Sequence, residues 1–169
     1  MYLDSRIRLR GVNQSDTKFL EQWISSPELT RHTLGRRFPV QDDAIEDWIA
    51  VSNRGQFPTR IVFVIETNLP VGMVQLDDID WVSQNAWLGI WLVPEVRGKK
   101  IGPSAVTEIL EYARLSLNLR QVRLLVRSDN LTALNLYQQL GFRHEGKLTD
   151  ADFRDGQLLN LEMMRIDLK

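Results

Sequence analysis

A chain of 169 residues, 43% apolar and 25% charged, has the size and balance of one globular domain built round one hydrophobic core. Its 21 Lys and Arg against 22 Asp and Glu leave a formal charge of −1, which argues against a nucleic-acid partner. With no cysteine, disulfides, thiolate nucleophiles and cysteine-ligated zinc are excluded, and the isolated His32 and His144 give no metal-ligand spacing, so no metal is expected.

The N-terminus lacks a basic start followed by an apolar run, and no apolar stretch reaches the roughly 18 residues needed to cross a bilayer. A cytoplasmic protein without membrane attachment is the expectation. Residues 6–10 (Arg-Ile-Arg-Leu-Arg) alternate polar and apolar, the period of a half-buried strand. Ser15 reads as the N-cap of a helix carrying Phe19, Leu20, Trp23 and Ile24 on one face. A Pro- and Arg-containing connection over 31–39 leads to a second helix over 42–52, with Ala44, Ile45, Trp48 and Ile49 as its stripe. Strands follow at 60–66, 71–79 and 86–93, joined by short polar turns as an antiparallel meander. A glycine-containing loop over 97–102 opens a helix spaced by Val106, Ile109, Leu110, Ala113 and Leu117. Then come a strand at 121–126, a helix at 131–140 capped by Gly141, and strands near 142–148 and 158–167. The order β-α-α-β-β-β-α-β-α-β-β predicts an α/β domain with a mixed, mostly antiparallel sheet, flanked by about four helices and containing one crossover unit.

The loop into the third of these helices is the most informative segment. Gly98, Gly102 and Pro103 lead into a helix N-terminus, whose unpaired N–H groups and positive dipole end suit a phosphate, and Arg97, Lys99 and Lys100 add charge. Neither a P-loop nor a dinucleotide-binding glycine pattern is present. Taken alone, the two glycines serve equally well as the shape of a strand-to-helix turn.

A second element joins it. The stretch from Asp129 to Phe142 contains Asn130, Ala133, Tyr137, Gly141 and Phe142 at the spacing Asn-x-x-Ala-x-x-x-Tyr-x-x-x-Gly-Phe. This motif and the loop Gln/Arg-x-x-Gly-x-Gly/Ala, met here by Arg97, Ile101 and Gly102 with Lys100 in place of the first glycine, resemble the two signatures of the GNAT acetyltransferase superfamily. The tail after Gly141 resembles the branch of ribosomal-protein-alanine, spermidine and nucleotide-amino-sugar acetyltransferases. The resemblance implies one domain over 1–169 that moves an acetyl group from acetyl-CoA to a primary amine, of an amino sugar, a polyamine or a protein N-terminus, by direct attack in a ternary complex. A non-catalytic acetyl-CoA-binding module on the same fold is the alternative, and a homodimer is a possible assembly.

The same resemblance implies that the pantetheine arm lies along Leu92 and Val93, with the Val93 N–H polarising the thioester oxygen. Arg97, Gly98, Lys99, Lys100, Ile101, Gly102 and Pro103 would hold the pyrophosphate. Asn130 and Asn135 would contact the coenzyme, and Tyr137 would be the general acid for the departing thiolate. Each has a plainer reading, as helix cap (Asn130), solvated helix residue (Asn135) or core aromatic (Tyr137). Lys100 either crowds the loop and forces a negative φ, or points its ammonium outwards to add attraction for phosphate. The family often places a glutamate base where this chain has Trp87. Asp77, Asp78, Asp80, Glu145 or a water relay are the substitutes, three close carboxylates being able to raise one another's pKa. Trp23, Trp48 and Trp91 fit core stripes, whereas Trp81 and Trp87 lie nearer the acceptor cleft. Arg31, His32, Arg36 and Arg37, on a wall of that cleft, favour an anionic acceptor such as a nucleotide-linked amino sugar over a polyamine.

Overall fold

Runs of β-branched residues build the centre of the molecule. The computed structural model describes residues 7–24, 26–32 and 43–168. Their elements are β1 (Arg8–Gly11), α1 (Thr17–Ile24), α2 (Pro27–His32), α3 (Ala44–Val51), β2 (Ile61–Glu66), β3 (Pro70–Asp80), β4 (Asn85–Leu92), α4 (Ile101–Leu115), β5 (Gln121–Arg127), α5 (Leu131–Gln139), β6 (Arg143–Arg154) and β7 (Gln157–Asp167). The strands form one sheet in the order β1-β2-β3-β4-β5-β7-β6. Only β4 and β5 run parallel, across the α4 crossover; every other neighbouring pair is antiparallel.

Alternation along the strands sorts side chains onto two faces. On one face Val62 and Met73 meet Leu20, Ile45 and Ile49 of α1 and α3. On the other, Ile65, Val74, Leu88, Val122, Leu124 and Met164 pack against Ala105, Val106 and Ile109 of α4. The ring of Phe63 stands edge-on to Tyr112 at 5.1 Å there. α5 shares that side, its Tyr137 meeting Phe142 edge-on at 5.5 Å.

The expected order holds with three corrections. A fifth helix, α2, begins at Pro27 in what the sequence presents as connection, because Pro at a helix start costs no hydrogen bond. Ser15 is not the cap: Asn13 Oδ1 accepts its N–H at 2.9 Å, and a 3-10 turn over 14–16 precedes α1. Asp16 then returns a bond to the Asn13 N–H at 2.9 Å, completing a reciprocal cap one turn early. β6 runs on to Arg154 rather than stopping near 148, through a bulge, and closes on β7 at Asp155 (φ 49°) and Gly156 (φ 79°), the paired positive angles of a type I′ turn.

Asp16 ties the first layer together. It is 2% exposed and takes both Nη groups of Arg10, at 2.6 and 2.8 Å, while Arg10 Nε reaches Glu66 at 2.7 Å. Burial alone would push this carboxyl up, but the Arg10 and Asn13 hydrogen bonds and the Arg10 charge outweigh it and hold the pKa below the ordinary range. We expect Asp16→Asn to cost about 2 kcal/mol at pH 7, since it weakens the charged hydrogen bonds to both Nη groups of Arg10 and leaves Glu66 as its one acid partner. Because the folded-state pKa is depressed, the wild-type advantage is present above about pH 4 and is lost as pH falls through the lower, folded value. Urea unfolding of both proteins at pH 7 and pH 3 checks this; equal stabilities at pH 7 would refute it.

Candidate active site

Two strands that begin as partners part company. β4 and β5 pair only over 85–87 and 121–123, yet β4 continues to Leu92 and β5 to Arg127. Each is held on its far edge, β4 by β3 as far as Gly72↔Leu92 and β5 by β7 as far as Arg127↔Leu161, so a gap opens between them. The Val93 N–H is donated to the Val71 carbonyl at 2.9 Å. This fixes the phase of the antiparallel ladder: Trp87, Gly89, Trp91 and Val93 turn their main-chain groups towards β3, and Ile90 and Leu92 turn theirs into the gap. The oxyanion role expected for the Val93 N–H is therefore corrected, because that donor is already spent inside the sheet.

At the mouth of the gap a 3-10 turn over 94–96 leads to the basic loop. Gly98 has φ 75°, and Lys100, the residue before α4, has φ 63° and ψ 11°. The left-handed conformation of glycine is thus kept with a side chain present, and the expected negative φ does not occur. The N–H groups of Gly98, Lys100, Ile101 and Gly102 have no acceptor among the described residues, and α4 carries no acid in its first turn. Four such donors at the positive end of a 15-residue helix suit a pyrophosphate in number and sign. Ile101 is buried and anchors the helix start, and Pro103 follows within the first turn. A Cβ on Gly102 would lie 3.4 Å from Leu92 Cδ1, an ordinary contact, so α4 starts close against β4. Arg97 turns back, donating to Glu28 Oε1 at 3.2 Å and to the Leu92 carbonyl at 3.3 Å. Lys99 and Lys100 are exposed and make no ion pair among the described residues.

Across the gap, Tyr137 is 9% exposed and its hydroxyl has no hydrogen-bond partner among the described residues. Desolvation pushes its pKa up to about 12, so the phenol keeps its proton at any physiological pH. Asn130 Oδ1 accepts the Ala133 N–H at 3.2 Å, so it is the α5 cap and leaves its amide NH2 for other partners. Asn135 lies exposed on the same helix.

The carboxylates at the end of β3 and at Glu145 have separate partners. Asp77 is clamped by Arg60 and Gln75, each at 2.5 Å. Asp80 accepts the N–H groups of Ser83 and Val82, and these bonds hold its pKa down. Glu145 is held down by Arg123 at 2.7 Å and by Arg165. Asp78 is exposed at a bulge with φ 46°. Trp81 donates to the Pro58 carbonyl at 3.1 Å and meets Phe57 edge-on. The side chains of Arg31, His32, Arg36 and Arg37 lie outside the described residues.

One feature of the site is absent from the sequence reading. Gln75, on the strand beside β4, lies over Gly89, where a Cβ would meet its Cγ at 3.1 Å. The signal was a glycine inside a strand, flanked at two residues on each side by Trp87 and Trp91, since such a glycine marks a close approach.

The strain at Lys100 is measurable. Lys100→Gly relieves about 1 kcal/mol of left-handed backbone cost, part of which returns as glycine's extra unfolded-state freedom. We expect a net rise in Tm of about 1–3 °C by calorimetry, and a fall would show that the conformation is unstrained.

Residues 6–143 match the acetyltransferase (GNAT) domain family. The chain is 24% identical over 164 residues to spermidine N(1)-acetyltransferase of Vibrio cholerae, covering 97% of this chain and 94% of that one. It is 27% identical over 161 residues to the spermidine N(1)-acetyltransferase of Escherichia coli K12, covering 95% and 85%. A solved structure of the Vibrio cholerae enzyme with CoA and spermine shares the fold, with a TM-score of 0.89 over 98% of this chain and 97% of that one at 24% identity. The gap between β4 and β5, the donor-rich loop and the family match agree: the chain belongs to the GNAT acetyltransferases and uses acetyl-CoA as its cosubstrate to acetylate an amine.

Proposed function

We propose that this domain, taken as one unit over 1–169, acetylates a primary amine of a small polyamine by direct attack on acetyl-CoA in a ternary complex. The observation that carries the reading is the gap itself, a strand edge that turns the main chain of Ile90 and the N–H of Leu92 away from any neighbouring strand and leads to a loop of unpaired N–H groups. A pantetheine arm has amides that bond to such an edge as a further strand would. Gly98, Lys99, Lys100, Ile101 and Gly102 then meet the pyrophosphate, with Arg97 and Pro103 shaping the turn and Asn130 and Asn135 facing the coenzyme from α5.

In this reading the N–H of Leu92 replaces that of Val93 as donor to the thioester oxygen, where negative charge develops as the amine attacks. The new C–N bond forms as the C–S bond breaks. Asp77 is held by Arg60 and Gln75, hydrogen bonds hold Asp80 and Glu145 below the ordinary carboxylate range, and Asp78 stands exposed at the bulge, so in this reading the amine's proton leaves through water. Tyr137 donates a hydrogen bond to the departing sulfur. A phenol at about 12 is a weaker acid than a thiol near ~8.5, so it stabilises the thiolate rather than surrendering its proton outright.

The polyamine follows from the named acceptors of the Vibrio and Escherichia relatives and from the exposed carboxylates of Asp78 and Asp80 at the end of β3. It replaces the anionic acceptor that the basic residues over 31–39 suggest. A cytoplasmic setting suits acetyl-CoA chemistry. A homodimer suits the 12-residue edge strand β6 and the exposed Phe153 and Leu158, which pair at the tip of its hairpin with β7.

Acetyl-CoA at about 100 times its Kd should raise Tm by about 5–10 °C, read by tryptophan fluorescence. No shift at millimolar acetyl-CoA would sink the cofactor reading. Tyr137→Phe should lower turnover about 10- to 100-fold, the worth of one hydrogen bond to a charged atom, with acetyl-CoA affinity within about twofold of wild type. A fall in affinity with turnover intact would make Tyr137 a binding residue only.

A further inference from the structure

The face of β4 turned away from α4 presents Trp87, Gly89 and Trp91 in a row, because successive side chains alternate. The ring of Phe19 stacks on Trp91 at 5.6 Å and 21° and fixes it in place. Trp87 is different: its indole is half-buried yet belongs to neither core cluster and has no aromatic partner among the described residues. Across β5, Arg123 is opposite Trp87 in register, but its guanidinium turns to Glu145 at 2.7 and 3.3 Å. Between the two indoles, Gly89 leaves a notch two residues beyond the last β4–β5 pair.

Gln75 reaches into that notch, its Cγ, Nε2 and Cδ 3.1–3.5 Å from where a Gly89 Cβ would stand. Its orientation is determined by chemistry. Asp77 Oδ2 is an acceptor only, so the Gln75 atom 2.5 Å from it is the NH2 group, and Arg60 holds Asp77 in turn at 2.5 Å. The remaining atom, Gln75 Oε1, receives no donor among the described residues. An amide acceptor without a donor, held by a two-step clamp beside an unpartnered indole, suits a ligand with N–H donors and an aliphatic stem, and the primary alkylamine required by the acetyl-transfer reading is such a ligand.

We propose that the notch between Trp87 and Trp91 seats the primary amine of the acceptor, with Gln75 Oε1 accepting one of its N–H bonds. The proposal rests on the acetyl-transfer reading above and adds the residues that position the nucleophile. Gln75 accepts from the neutral amine without a negative charge that would hold it protonated, and the indoles exclude water from the stem. A glutamate at 75 would strengthen the grip on an ammonium and oppose its deprotonation.

The test uses the full chain loaded with CoA, the indole N–H signals of its tryptophans by NMR, and two probes, spermidine and n-butylamine. Both probes should move the Trp87 and Trp91 signals saturably. Gln75→Leu should raise the apparent Kd about tenfold for each, while the acetyl-CoA thermal shift stays at the wild-type value. Gly89→Ala, whose Cβ displaces the Gln75 amide, should do the same if it folds; Gln75→Leu, at a half-exposed site, is the variant that decides. In turnover with spermidine, Gln75→Glu should lower KM and move the rise of kcat/KM to higher pH. Unmoved Trp87 signals with either probe at tens of millimolar, or wild-type affinity in Gln75→Leu, would overturn the proposal. A missing acetyl-CoA shift would instead overturn the cofactor reading beneath it.

Discussion

The site depends on a conflict between hydrogen-bonding partners. β4 is committed to β3 along its whole length and β5 to β7 along its whole length, and sheet twist then carries the two parallel neighbours apart after three pairs. A strand edge normally exposes its N–H and C=O groups at the outside of a sheet, where proteins blunt it. Here an edge is opened in the middle, walled by α4 and α5 on one side and by Trp87, Gly89 and Trp91 on the other. Apart from the Leu92 carbonyl, which Arg97 meets, its main-chain groups past the last β4–β5 pair are left without a strand partner.

The loop at the mouth shows how strictly the backbone is required. Lys100 occupies a left-handed conformation although a side chain there costs energy. Ile101 is buried at the start of α4, and Gly102 lies against Leu92 beside it. The outcome is a helix start with four free N–H groups and an extra cation beside it, a shape that suits phosphate. Arg97 in turn spends its charge on α2 and on the end of β4, joining the loop to the first helical layer that Arg10 and Asp16 secure.

Charge pairing also settles which acids are available. The three carboxylates at the end of β3 look like a cluster in sequence, but a bulge and an Arg60 clamp send them to different tasks. Asp77 becomes a support for Gln75, Asp80 a turn cap, and Asp78 a surface charge. In the mechanism proposed above, proton removal falls to water and binding of the amine to a neutral amide and two indoles.

Much of this was legible in the residues. Periodicity placed the strands and four of the helices, because burying one face of a strand or helix dictates where apolar residues fall. The spacing from Asn130 to Phe142 placed Tyr137 and the Gly141 cap, both local properties of one helix and its end. What the sequence could not hold was any quantity that depends on two distant segments at once. The phase of the β3–β4 ladder decided that Val93 faces inwards and Leu92 faces the gap, a one-residue difference that reverses every hydrogen-bonding group. The same ladder laid Gln75 over Gly89, and Arg60 and Arg123 took up Asp77 and Glu145 as partners. Local sequence determined the elements and the fixed-spacing motif. Tertiary pairing decided which donors, acceptors and carboxylates were left over for chemistry, because each is defined by what its partner strand has already consumed.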